Sequence, residues 1–247
     1  TDVNGHYNAL LVSANRRFAH GLQFFGKYQL GRSMDGGSWE GAGGERDPFY
    51  PLNQTYDYGP SDFDVTHSML LSAVYDIPVF KERHDFAGKA LGGWQVSGIF
   101  QYHSGFPWSP VANTNCPPIP AGGTLCPALP TAYLGKAGTD YSNDTLMRPS
   151  GNFSGIVTGW SCPAGGGPTS AGYPYFDVCT QGPPFIHRNS FRGPRYQTMD
   201  LSVIKSTPVP FFKGEQAKLD FRVNFFNLFN KLNLKPFARG ANNVSIN

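Results

Sequence analysis

Six segments of the sequence alternate apolar and polar side chains with the two-residue period of a β-strand, and this pattern constrains the fold more than any other feature. Each segment has about 9–12 residues, the length with which a tilted strand crosses a bilayer. In the second segment, Leu22, Phe24 and Tyr28 share one face, whereas Gln23 and Lys27 share the other. The predicted strands are 7–18, 22–30, 68–77, 94–104, 197–205 and 218–229.

The connections between these segments alternate in length. Short or medium connections at 19–21, 78–93 and 207–216 alternate with long ones at 34–64 and 105–195. Outer-membrane barrels have short periplasmic turns and long outer loops, whereas a soluble sandwich has no reason to sort its loops in this way. The sequence therefore predicts an all-β fold: an antiparallel transmembrane β-barrel segment, with about six to eight strands of a larger barrel, in one partial domain over 1–247.

The two faces of the predicted strands have different chemistry, so each face is expected to meet a different solvent. In a membrane barrel the apolar face meets lipid and the polar face lines the lumen. The residues expected to face lipid are Phe24, Tyr28, Leu71, Val96, Leu201 and Phe221. The residues expected to face the lumen are Gln23, Lys27, Ser72, Gln95, Asp200 and Arg222.

Composition excludes several other classes of protein. Only 15% of the residues are charged, while 30 Gly and 21 Pro break the long helices that a helical bundle needs. Aromatic residues also make up 15%, which is too many for a fully disordered chain. The net charge of +3 is small and scattered, so nucleic acid is not an expected partner.

Several stretches resemble the barrel strands of TonB-dependent outer-membrane receptors, specifically the Oar-like subgroup with a carboxypeptidase-regulatory-like domain. The most specific stretch is LDFRVNFFNLFN at 219–230, and RNSFRGPRYQTMDLSV at 188–203 is similar to a late barrel strand. SAVYDIP at 72–78 and GWQVSG at 93–98 agree with the same family. Receptors of this kind have about 22 strands around a plug, whereas about six to eight strands are predicted here. The chain is therefore expected to be an internal portion of the C-terminal third of a longer receptor.

The resemblance implies a function in the outer membrane of a Gram-negative-type cell. The expected function is the binding and import of a scarce solute, with no enzymatic activity and no cofactor. The implied partners are outer-membrane lipid, a plug domain of the same chain, and the TonB complex, which a coupling segment of the same protein would contact. The outer loops, 34–64 and the Cys-, Pro- and Gly-rich 105–195, are expected to contact the solute.

Two alternatives use the same residues differently. A secreted β-sandwich could bind glycans through loop aromatics, and a barrel-embedded hydrolase could use His67 and His103. The sequence has no Gly-x-Ser-x-Gly or His-Glu-x-x-His motif, so these histidines are predicted to be lumen-facing and hydrogen-bonded rather than catalytic. The loop aromatics predicted to bind ligand, in the receptor or in the sandwich, are Trp39, Tyr50, Trp108 and Trp160.

Two groups of loop residues invite a more specific interpretation. The four cysteines lie in one long loop and lack Cys-x-x-Cys spacing, which favours disulfides over zinc. They are Cys116, Cys126, Cys162 and Cys179. Four cysteines allow three pairings, and the local one, Cys116–Cys126 with Cys162–Cys179, is expected. Asp57, Asp62 and Asp64 could in principle hold calcium, but without EF-hand spacing they are predicted to form a solvated acidic loop, with no metal site.

Overall fold

A computed structural model describes residues 4–38, 52–80, 88, 91–111, 132–133, 176–177, 184–208, 217–233 and 243–245. Within these ranges, no helix is long and apolar enough to cross a membrane. A 3-10 turn covers Gln54–Tyr56. The strands are β1 (Gly5–Ala19), β2 (Leu22–Asp35), β3 (Gly59–Pro60), β4 (His67–Asp76), β5 (Trp94–His103), β6 (Pro107–Val111), β7 (Ala132–Tyr133), β8 (Phe176–Asp177), β9 (Phe191–Arg192), β10 (Tyr196–Pro208), β11 (Lys218–Phe225) and β12 (Asn243–Ser245).

The long strands form one antiparallel sheet in the order β1-β2-β4-β5-β10-β11, with β3 added beside β2. Each long strand coincides with a segment predicted from the two-residue period, so all six predicted strands are confirmed. The order follows the chain, as in the meander of an up-and-down barrel. The barrel is not closed among the described residues, because β1 and β11 each have one free edge there.

The pairing register separates the two predicted faces. Leu71 pairs with Gly26 on β2 and with Phe100 on β5, whereas the adjacent Ser72 pairs with Phe25 and Ile99. Following these pairs across the sheet places all six predicted lipid-facing residues on one face and all six predicted lumen-facing residues on the other. These two faces are called the apolar face and the polar face below.

Neither face of the large sheet is buried in the way that the core face of a soluble β-sandwich is. On β4, the apolar-face residues Leu71, Ala73 and Tyr75 are exposed, while Ser72 and Val74 on the polar face are half-buried. In the described part of the chain, the buried apolar side chains are Trp108, Phe185, Phe191 and Ile204, and of these only Ile204 belongs to the large sheet. A sandwich needs a second sheet packed on its apolar face. The described residues leave this face uncovered, as lipid contact requires.

The ends of the strands refine the predicted boundaries. The first hairpin turns through His20 and Gly21, whose φ angles of 53° and 80° match the two-residue turn favoured by the twist of paired strands. The sixth strand was expected to reach 229, but β11 ends at Phe225. The chain then turns through Asn227, which has a φ of 49° and donates its backbone N–H to Asp200 Oδ1 at 2.8 Å. Asparagine tolerates this left-handed conformation better than most residues.

Candidate functional site

One end of the sheet carries both long connections, and this end is called the long-loop rim. β2 ends there at Asp35 and β4 begins there at His67, while β5 ends at His103 opposite Tyr196, the first residue of β10. The ranges predicted as loops contain short strands: β3 lies within 34–64, and β6 to β9 lie within 105–195. β6 pairs with β9, so residues at both ends of the longer connection meet at this rim.

Arg188 is the centre of a buried polar cluster at the long-loop rim. Its side chain is 2% exposed, and its guanidinium donates to the carboxylates of Asp35 and Asp62, the latter at 2.9 Å. It also donates to the backbone carbonyls of Asp57 at 2.8 Å and Asp35 at 3.0 Å. The planar, five-donor guanidinium is suited to several acceptors at once. Arg188 thereby ties the end of β2 to the 57–62 segment.

Asn189 extends the cluster to a third segment of the chain. It is 1% exposed and has a φ of 56°, a conformation that asparagine adopts more readily than most residues. Its side-chain amide donates to Pro60 O at 2.8 Å and to Asp62 Oδ1 at 2.5 Å. Its backbone N–H donates to the hydroxyl of Ser109 on β6 at 2.7 Å, and that hydroxyl donates back to Asn189 Oδ1 at 3.0 Å.

Arg192 and Asp64 form a second ion pair beside the first. Asp64 is 2% exposed, its Oδ2 accepts from Arg192, and its Oδ1 accepts the backbone N–H of Ser33 at 2.5 Å. Gly59 packs so closely on Arg188 that a Cβ at position 59 would overlap the Arg188 carbonyl oxygen. The residues Asp35, Asp57, Asp62, Asp64, Arg188, Asn189 and Arg192 are called the Arg188 cluster.

The Arg188 cluster corrects the prediction of a solvated acidic loop. Asp57 and Asp64 are buried, and Asp62 is partly buried against Arg188. The reason is that the arginines approach from about 130 positions further along the chain, where local sequence context does not reveal them. Within the described ranges, no group of three or more His, Cys, Asp or Glu residues is arranged to hold a metal ion.

The predicted ligand-binding aromatics are only partly within the described residues. Trp108 is 0% exposed and packs against Phe191 with 5.3 Å between ring centroids, so in this structure it fills the interior of the loop assembly rather than presenting a surface to a ligand. The other three predicted aromatics and the four cysteines lie outside the described residues: Trp39, Tyr50, Trp160, Cys116, Cys126, Cys162 and Cys179.

The two histidines considered for a hydrolase both have aromatic partners. His67 Nδ1 lies 2.8 Å from the Tyr28 hydroxyl, and the His103 ring stacks on Tyr196 with centroids 5.1 Å apart. His103 lies on the polar face, as expected of a lumen-facing residue. His67 pairs with Leu30 and shares the apolar face, so its predicted lumen-facing position is wrong. The parity of its strand position already places it with Met69 and Leu71.

An open cavity of about 630 Å³ lies beside the cluster, at the tips of β1 and β2. Its lining includes Tyr7, Gln29 and Met34 from the strands, and Phe63 from the loop. Asp35 and Asp64 line it as well, and each is paired with an arginine of the Arg188 cluster. Sequence reasoning missed this cavity, which is called the rim pocket. The only available signal was the aromatic Tyr7 at the start of a strand.

Comparison with known proteins agrees with this architecture. A family model described as an outer membrane beta barrel domain matches residues 1–245. The chain belongs to this family. As an outer-membrane β-barrel protein, it is located in the outer membrane. The comparison with curated proteins gave no match, and neither did the comparison with solved structures.

Proposed function

We propose that this outer-membrane barrel chain is the barrel portion of a TonB-dependent receptor that imports a scarce solute. The proposal rests on one observation at the long-loop rim: the Arg188 cluster holds distant loop segments in a fixed arrangement beside the rim pocket. Binding residues commonly lie on loops positioned by a rigid scaffold. A passive scaffold with an ordered loop assembly at its mouth suits capture of a ligand better than unrestricted diffusion.

The resemblance of residues 219–230 to the same receptors supports this proposal. In the structure, their asparagine-rich end forms a specific cap at the long-loop rim. The side-chain amide of Asn227 donates to Lys231 O and accepts from Lys231 N, both at 3.0 Å. Asn233 likewise exchanges two hydrogen bonds with the backbone of Gln197, each at 2.9 Å. Asn227 of this motif and Asn233 just after it thus lie beside the part of β10 that β11 does not pair.

The proposed partners follow from the two faces of the sheet and from the resemblance to TonB-dependent receptors. Outer-membrane lipid would cover the apolar face, on which the exposed side chains of Leu71 and Phe221 lie. A plug domain of the same protein would occupy the lumen beside the polar face. The TonB complex would supply energy for import through a coupling segment of the protein. The barrel itself carries out no chemical reaction in this proposal.

Energy-dependent uptake is the test that distinguishes a receptor from a passive pore. Cells with and without the gene are supplied with pooled radiolabelled solutes at low concentration, with and without a protonophore. A receptor predicts that one solute accumulates only in energised cells that carry the gene. Diffusion that is unaffected by the protonophore, and ion conductance of the purified protein in planar bilayers, would instead indicate a porin and contradict the proposal.

A further inference from the structure

We infer that the rim pocket is a binding site for a neutral saccharide, with the ring of Tyr7 as its stacking surface. This inference rests on the proposed function, because it names the class of solute that the receptor captures. Tyr7 lies near the start of β1 on the polar face, where it pairs with Ser33. Its side chain is 57% exposed and lines the pocket.

The Tyr7 ring is held in place before any ligand arrives. It lies against Gly31, where an added Cβ would be 3.0 Å from the Tyr7 hydroxyl and 3.3 Å from a ring carbon. The Gln29 side-chain amide donates to the Tyr7 hydroxyl at 2.8 Å, so the hydroxyl keeps its own hydrogen for donation. An aromatic ring fixed in this way costs little conformational entropy when a ligand packs on it.

The surroundings of Tyr7 favour a ligand that is neutral and rich in hydroxyl groups. The two pocket carboxylates, Asp35 and Asp64, are neutralised by Arg188 and Arg192. An exposed ring, Phe63 at 66%, is a further apolar surface of the pocket. Small-molecule sites combine apolar walls with a few convergent polar groups in about 300–1,000 Å³, and the pocket volume of about 630 Å³ lies in this range.

A sugar ring meets these requirements, because its C–H faces pack on aromatic rings while its hydroxyls exchange hydrogen bonds with tyrosine and amide groups. The saccharide could be a soluble oligosaccharide from the medium or the polysaccharide of the outer leaflet. The shared chemistry is the neutral pyranose ring. Two sets of probes distinguish the sources: soluble neutral hexasaccharides of glucose and xylose, and lipid-free polysaccharide prepared from the host's own lipopolysaccharide.

The test measures binding of these probes to the full-length protein in detergent micelles by titration calorimetry, with hexagalacturonate as the charged control. We expect at least one neutral probe to bind more tightly than the charged control. Tyr7→Ala removes the aromatic ring and should weaken binding of the neutral saccharide about tenfold. Tyr7→Phe keeps the ring and should lose only the share of affinity that the hydroxyl supplies.

Gly31→Ala provides an independent variant that leaves Tyr7 itself unchanged. The new Cβ would lie 3.0 Å from the Tyr7 hydroxyl and 3.3 Å from a ring carbon, so the ring must shift by a few tenths of an ångström and we expect a smaller loss of saccharide affinity in this variant too. Tyr28→Ala is the matched control: Tyr28 lies on β2 but on the apolar face, so it should leave the affinity unchanged. No binding of any neutral probe at millimolar concentration, or equal affinity of wild type, Tyr7→Ala and Gly31→Ala, would overturn the inference.

The inference and the proposed function fail in different ways. Energised uptake of a solute that neutral saccharides do not compete for would overturn the saccharide site and leave the receptor function standing. Tyr7-dependent saccharide binding without energised uptake would support the site and contradict the receptor function.

Discussion

Removal of the Arg188 side chain should release the loop segments of the long-loop rim without unfolding the sheet. Arg188→Ala leaves the carboxylates of Asp35 and Asp62 without their cation and removes the donors to two backbone carbonyls. Loss of one partner of a buried ion pair costs about 3–5 kcal/mol. The side chains of Asp35 and Asp62 are each 15% exposed, so water can partly solvate them and the lower end, about 3 kcal/mol, is expected.

Hydrogen exchange measured by mass spectrometry reports this effect locally. A loss of about 3 kcal/mol corresponds to roughly a hundredfold faster exchange, since 1.4 kcal/mol is a factor of ten. We expect this acceleration in peptides covering 57–64 and 184–192, with peptides from β4 and β5 unchanged. Arg188→Lys should restore little of the protection, because an ammonium group lacks the planar fork that reaches these acceptors together.

Arg195→Ala is the matched control, because Arg195 is an exposed arginine seven positions along the same segment. It should leave exchange in both loop peptides unchanged. Equal exchange in wild type and Arg188→Ala would refute the reasoning that the Arg188 cluster holds the rim together. Faster exchange throughout the sheet would also contradict it, because the effect would then be global.

Three further predictions concern other parts of the chain. Non-reducing peptide mapping should find Cys116 and Cys126 paired, and Cys162 paired with Cys179; four alkylatable thiols in the native protein would exclude this. Deletion of Pro117–Gly182 should leave the barrel able to insert, because the sheet pairs His103 directly with Tyr196. The deletion should abolish solute binding. Unchanged solute affinity together with greater antibiotic leakage would show that the loop is only a cap. Asn227→Ala should lower the free energy of unfolding, measured by denaturant titration, by about 1–2 kcal/mol. Asn227→Gly should lower it by less, because glycine tolerates the φ of 49°. Equal losses in the two variants would show that the backbone conformation at position 227 does not contribute to the effect.

The long strands and their faces could be predicted from the sequence because they depend on local alternation. Leu71 and Ser72 differ in polarity and are adjacent, so the two-residue period separates them without knowledge of any partner. The end of β11 was less predictable. The alternation continues to Phe225, but the chain is then turned by hydrogen bonds between Asn227 and Lys231 that no periodicity reveals.

The candidate site was largely hidden from the sequence, because its contacts join residues far apart in the chain. Asp62 looks like a residue of a solvated acidic loop until Arg188 is placed beside it. Trp108 looks like an exposed loop aromatic until Phe191 is packed against it. Asp62 lies before the longer loop, and Trp108 is among the first residues of that loop. Their partners, Arg188 and Phe191, are both among its last residues. The pairing of β5 with β10 brings the two ends of the longer loop together, and β6 then pairs with β9.

The contact of the apolar face with lipid is the central physical claim, and one pair of adjacent substitutions on β4 tests it most directly. β4 has 10 residues. At roughly 3.3 Å per residue and a tilt of about 40°, a strand of this length rises about 25 Å, the height of the apolar band of an outer-membrane barrel. Leu71 and Ser72 are therefore near the middle of the bilayer, on opposite faces of the sheet.

The measurement is the free energy of unfolding of Leu71→Arg and Ser72→Arg, obtained by urea titration of the protein folded in phospholipid vesicles. An arginine that faces lipid at the midplane costs about 2–4 kcal/mol, whereas one that faces the lumen costs much less. We predict a loss in this range for Leu71→Arg and a loss below about 1 kcal/mol for Ser72→Arg. Equal losses at the two positions, or a larger loss at Ser72, would contradict the assignment of the apolar face to lipid.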